Sequence, residues 1–139
     1  MQEPCVFCAI ASWSEPASVV YEDQLTIAFI GLRQFHAGHT LVIPRHHFAD
    51  VRDLDDATGA ALMSTIVRIT RAVGKTFGGD GMSLWHSIGP AAFQEVPHLH
   101  IHVHPRHPDD DFLRVYPGKI PDSLKADRDR YAEQLRRHL

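Results

Sequence analysis

At 139 residues the chain has the size of one domain, large enough to bury roughly two-thirds of its unfolded surface without disulfide staples. Fourteen Lys and Arg against seventeen Asp and Glu give a formal net charge of -3, with no basic block to follow a nucleic-acid backbone. The apolar stretches are too short to cross a bilayer and no basic-then-apolar leader opens the chain, so a cytoplasmic protein with neither nucleic-acid nor membrane partners is expected, and any nucleotide ligand should be small.

In chain order, the first group with chemistry is Cys5-Val-Phe-Cys8, which holds both cysteines. One CxxC alone is shared by redox motifs, half metal sites and chance. A redox pair sits between a strand and a helix of a βαβ unit, whereas this one lies near the N-terminus; a metal site needs two further ligands.

Residues 18–30, SVVYEDQLTIAFI, predict two strands turning near Glu22 and Asp23, rich in β-branched and aromatic residues. HTLVIP, residues 39–44, predicts a third, entered from Gly38 and stopped by Pro44. Leu62, Ile66, Ile69 and Val73 recur at helical spacing, with Asp55 and Asp56 as candidate caps and Gly78-Gly79 as a stop, so residues 57–77 form a long amphipathic helix. MSLWH, residues 82–86, gives a short strand and the segment from His98 the last. Asp122 or Ser123 caps a C-terminal helix with Leu124, Tyr131, Leu135 and Leu139 on one face. The short strand connections cannot hold crossover helices. The expected fold is therefore a single α+β domain over 1–139, an antiparallel five-stranded sheet with one long central helix and a C-terminal helix.

The last strand carries the strongest signal. In HLHIHVHPRH, residues 98–107, strict alternation sends Leu99, Ile101 and Val103 to one face and His98, His100, His102 and His104 to the other. Neighbouring imidazoles then stand about 7 Å apart. Because histidine titrates near neutrality, such a row offers a nucleophile, a proton carrier and metal ligands in one site.

The run His98-Leu-His100-Ile-His102-Val resembles the signature of the histidine triad family. Gln94-Glu-Val96-Pro-His98, Gly38-His39-Thr-Leu-Val-Ile-Pro44-Arg-His-His47 and Cys5-Val-Phe-Cys8-Ala-Ile are similar to the family's other blocks, in the same order. The resemblance implies an antiparallel α+β fold, usually a homodimer, and nucleotide hydrolysis or transfer through a nucleotidyl-histidine intermediate. It gives His100 the role of nucleophile and His102 that of the histidine at the phosphate and leaving group. It implies a structural zinc ion held by Cys5, Cys8, His47 and His98, with His46 as the rival to His47. Substrate contacts fall to Phe7, Phe29, Ser87, Gln94 and Val96, with Val6 and Ile10 completing an apolar base pocket, and Gln94 reaching a phosphate or hydroxyl. His39 is read as a hydrogen-bonded structural histidine. No role falls to His36, His86, His104, His107 or His138.

The chain departs from the pattern at three points. Gly31 stands where members usually carry the aspartate or asparagine that holds the ribose, with Arg33 and Gln34 as alternative contacts. Ser87 replaces a usual asparagine or glutamine, and Phe93 a usual loop glycine. The phosphate chemistry is left intact and the nucleotide specificity open. Two other functions fit the same residues: a nucleotide-binding partner protein with incidental catalysis, and a zinc hydrolase whose metal is held by His98, His100 and His102.

Overall fold

The computed structural model describes residues 4–78, 80–112, 116 and 118–139. The elements are α1 (Val6–Ala11), β1 (Val19–Glu22), β2 (Thr26–Ile30), β3 (Thr40–Pro44), α2 (Asp56–Phe77), β4 (Gly81–Trp85), β5 (Ile101–Arg106) and α3 (Lys125–Arg136), with 3-10 turns at Val51–Asp53 and Pro90–Ala92. The strands form one antiparallel sheet in the order β1-β2-β3-β5-β4, which is the α+β class expected. No helix among the described residues is long and apolar enough to cross a membrane.

The β1–β2 turn forms where Asp23 sits, because its carboxylate accepts from the Leu25 and Thr26 amides at 2.9 and 2.8 Å. Asp55 caps α2, accepting from the Thr58 amide at 2.8 Å, and Gly78 ends the helix at φ 65°. Gly79, the other half of the predicted stop, lies outside the described residues. Leu62, Ile66, Ile69 and Val73 lie against Ala28, Val42, Leu99 and Val103 on one sheet face. Burying each such side chain contributes roughly 1.5–3 kcal/mol. Phe77 at the end of α2 closes over Gly38, where φ is +105° and an added Cβ would meet the Phe77 ring at 2.5 Å.

The opposite face carries a second core, in which Phe7, Ile10 and Ala11 of α1 cover Ile27, Phe29, Leu41 and Ile43. No pattern in residues 5–11 announces α1. Six residues are too few to show helical period and too few to be stable alone, so α1 exists only through its packing and its Cys5 cap.

Two further readings need correction. The last strand begins at Ile101 instead of His98. Its ladder with β3 stops at the Val42–Ile101 pair, close to Pro44, which has no amide to donate. The lead-in is held separately, by Leu99 N donating to Phe48 O at 2.7 Å. At the C-terminus, α3 is capped at Leu124 with no side-chain hydrogen bond, so neither Asp122 nor Ser123 is the cap. Its predicted apolar face exists, but Leu124, Tyr131, Leu135 and Leu139 are all exposed.

Candidate functional site

The alternation along β5 and its lead-in holds: Leu99, Ile101 and Val103 face α2, and the histidines take the other side, His98 and His100 against Phe7 of α1 and His102 and His104 against Trp85 of β4. That second side is covered, however. His98 and His104 are fully buried and His100 is 6% exposed.

His98 and His100 each have one nitrogen fixed by a backbone carbonyl, and His102 has one fixed by His39. His100 Nδ1 lies 2.7 Å from the His98 carbonyl oxygen. A carbonyl only accepts, so Nδ1 carries the proton and Nε2 keeps its lone pair. Burial lowers the pKa of His100, which keeps that lone pair available near pH 7. His102 Nδ1 is 2.9 Å from His39 Nε2, so the two imidazoles share one hydrogen bond. With His102 as the donor of that bond, His102 Nε2 keeps a second free lone pair. The His100 and His102 ring centroids are 5.0 Å apart. Burial, then the neighbouring imidazoles, push His102 down to about 3. His39 thus does more than hold structure: it sets the tautomer of its neighbour.

His98 belongs to a different group. Its Nε2 donates to the Pro44 carbonyl at 2.9 Å, turning Nδ1 toward Cys5 Sγ at 3.4 Å and Cys8 Sγ at 3.5 Å. His47 Nδ1 completes the set, 3.2 Å from Cys8 Sγ. The four ligand atoms lie within 4.8 Å of one another, and among the described residues this is the only group of three or more His, Cys, Asp or Glu so gathered. Two thiols and two imidazoles at these separations fit a tetrahedral shell with metal–sulfur and metal–nitrogen bonds of about 2.3 and 2.0 Å. The donor chemistry fits too. Burial and the neighbouring Cys5 push the Cys8 thiol up to about 11, a state that a bound cation would reverse. This group can hold a metal ion. His46 turns to Phe48 instead, and His98, His100 and His102 do not converge on one point.

The residues assigned to substrate fall in three places. Phe7 stands edge-on to Phe29, His98 and His100, with centroids 5.5, 5.9 and 5.1 Å away, so one ring joins the metal group to the candidate nucleophile. Phe29 and Ile10 are buried beside it and Val96 is half-buried against the same cluster, whereas Val6 is exposed. Ser87 is half-buried just after β4. Gln94 is held at both ends: Oε1 accepts from Gly89 N at 2.8 Å and Nε2 donates to Ala49 O at 2.9 Å, so its amide shapes the 89–94 loop. Phe93 sits in that loop at φ 63°, its ring exposed.

The space near Gly31 is also occupied. Gln34 donates to the Gly31 and His39 carbonyls and accepts from Gly38 N, which engages the whole amide in the loop. Arg33 lies at the surface, 3.6 Å from Glu95.

A third group of rings, not marked by any motif, lies beside His102. Trp85 of β4 stacks on His102, and His104 bonds to His36 at 2.9 Å. Antiparallel pairing of β4 with β5 brings Trp85 there, and nothing in a single sequence states that register.

A buried imidazole with a free lone pair, a second beside it and a separate Cys2His2 group define a histidine-based α+β domain suited to nucleophilic group transfer. The chain belongs to the HIT domain family, whose pattern it matches over residues 13–109. It is 40% identical over 129 residues to an uncharacterized HIT-like protein of Mycobacterium tuberculosis, covering 93% of this chain and 87% of that protein. It is 34% identical to an adenylylsulfatase of Arabidopsis thaliana, covering all of this chain and 71% of that one. The crystal structure of a HIT family member from Bacillus subtilis superposes with a TM-score of 0.91, at 31% identity over 99% of this chain and 98% of the other.

Proposed function

We propose that the protein is a nucleotidyl hydrolase or transferase that cleaves phosphoanhydride or phosphoramidate bonds through a nucleotidyl-His100 intermediate. The observation that carries this reading is the buried His100 imidazole, its Nδ1 fixed by the His98 carbonyl and its Nε2 lone pair free. In the first step Nε2 bonds to the α-phosphorus and the leaving group departs with the pair from the broken P–O or P–N bond, an amine leaving group taking a proton from solvent as that bond breaks. In the second, water attacks the same phosphorus, the N–P bond breaks back to His100, and His102 Nε2 takes a proton from the water. A family relative that acts as an adenylylsulfatase supports an adenylate joined to an acidic leaving group. The test is a turnover panel of adenosine and guanosine phosphoramidates, adenylylsulfate and dinucleoside tri- and tetraphosphates, with single-turnover trapping of nucleotide on His100. Failure to label His100 with any member would overturn it.

We assign the Cys5, Cys8, His47 and His98 group to a structural Zn2+ ion. A shell closed by four protein ligands leaves no position for substrate, so the ion's contribution is to fasten α1 to the lead-in of β5. We also propose that the active species is a homodimer, in which the exposed apolar residues of α3, with Met63 and Val67 of α2, meet a second copy. Sedimentation at twice the monomer mass at micromolar concentration is expected, and a monomer there refutes it.

Gly31 leaves the ribose without its usual carboxylate. A Cβ at Gly31 would lie 3.3 Å from the His39 carbonyl and 3.5 Å from His39 Nδ1. Gly31→Asp should therefore raise the preference for ribo- over deoxyribonucleotides by up to about tenfold and also lower kcat, because crowding His39 disturbs its bond to His102. Binding constants for a nucleoside monophosphate and its 2′-deoxy analogue on both proteins check the first effect. A wild-type protein that already prefers ribose a hundredfold would show that another group holds the sugar.

A further inference from the structure

We propose that Trp85 is a positioning residue for His102, an inference that rests on the role just given to that histidine. The two residues are direct partners across the β4–β5 ladder. Their rings are stacked nearly parallel, with centroids 4.3 Å apart and planes 7° from one another.

An imidazole turns easily about its second side-chain torsion, whose profile is broad and roughly two-fold. The bond from His102 Nδ1 to His39 fixes one edge of the ring only while the ring keeps its tilt, because a rocking ring misaligns the N–H and loses the bond. The indole face fixes the plane. His39 leans on the same indole, its centroid 5.7 Å away at 29°, so donor, acceptor and clamp form one stack. When His102 gains a proton during turnover, the indole face also favours the cation.

Behind the stack the side chains are locked in turn. His104, fully buried, tilts against both Trp85 and His39 and is stacked on Phe112 with centroids 4.2 Å apart. His36 donates to Pro105 O at 3.0 Å and lies 2.9 Å from His104 Nε2. Arg106 holds Asp110 with two bonds of 2.7 and 2.6 Å, and Asp110 accepts the Phe112 amide. Trp85 therefore has a rigid backing, and His36 and His104 acquire a place in the site as its outer wall.

The experiment uses Trp85→Leu, which keeps an apolar residue on β4 but removes the ring, and Trp85→Phe, which keeps a ring in the stack. Trp85→Leu should lower kcat about tenfold with KM unchanged within about twofold, and Trp85→Phe should recover most of the loss. Long-range nitrogen–proton NMR on the unliganded proteins supplies the readout that a merely structural residue would not move. Wild type and Trp85→Phe should show His102 as a single Nδ1–H tautomer, and Trp85→Leu a mixture. A Trp85→Leu protein with an unmixed His102 tautomer and unchanged kcat overturns the proposal, as does a Trp85→Phe protein no better than Trp85→Leu. Should no substrate of the panel turn over, the nucleotidyl-transfer reading fails while the NMR comparison still decides the role of Trp85.

Discussion

Replacing His100 with asparagine is expected to lower turnover by about 10⁴-fold or more while leaving a folded protein. On the proposed mechanism the loss is large, because the substitution removes the atom that would bond to phosphorus and leaves water no covalent route. Asparagine is preferable to alanine on structural grounds. The alternating pattern suggests a histidine facing solvent, but His100 is buried between Phe7 and His102. Alanine there would leave a cavity and cost about 2 kcal/mol or more, roughly 8 °C in melting temperature for a domain of this size. Steady-state rates on the best substrate, with the melting temperature measured alongside, separate chemistry from packing. A folded His100→Asn protein that turns over within tenfold of wild type would remove His100 as the nucleophile.

The second large effect concerns the metal. Freshly purified, unchelated protein should contain about one zinc per chain, and Cys5→Ser should bring that close to zero. The serine oxygen can still accept the Cys8 amide that Cys5 Sγ accepts now, so the α1 cap survives and the loss isolates the metal. Melting should fall by roughly 10 °C, because binding to the folded chain alone is folding free energy. Turnover should weaken as well, since Phe7 stands in α1 between the two cysteines and packs on His100. Elemental analysis finding no metal in the wild-type protein would end the assignment, and calorimetry of Cys5→Ser would measure what the shell contributes.

The parts of this molecule that were legible in the sequence are those whose pattern is local. Leu62, Ile66, Ile69 and Val73 announce α2 by their spacing, Asp23 announces its turn, and the alternation in β5 separates core from histidines. Membership of the four metal-group residues followed from motif blocks, and the geometry gathers the same four atoms. What the sequence hid depends on tertiary contact. The α1 helix is too short to carry a period. The burial of the histidine face depends on α1 and on Trp85, which arrive from distant segments. The tautomers of His100 and His102 depend on a carbonyl at residue 98 and on His39, neither of which composition can orient. The engagement of Gln94 and Gln34 by backbone is likewise invisible until the loops are folded, so a glutamine that looks available for a ligand is already a brace.

The two-faced character of β5 has a consequence for how this protein can change by mutation. Side chains along a strand alternate, so inserting or deleting a single residue between His98 and the end of β5 would exchange the two faces beyond that point. Imidazoles would then meet the apolar side of α2, while Leu, Ile and Val would line the reaction site. Core and chemistry are encoded in one reading frame of side-chain direction, and neither can be shifted without losing the other. The loops at 31–39 and 86–97 lie outside that alternation, so a change of residue type there, away from Gln34, Gly38, His39 and Gln94, leaves both faces of β5 in place. Gly31, Ser87 and Phe93, the three departures from the family pattern, all lie within these loops. New specificities in this scaffold are open to change at the rims, around a strand that must stay fixed in register.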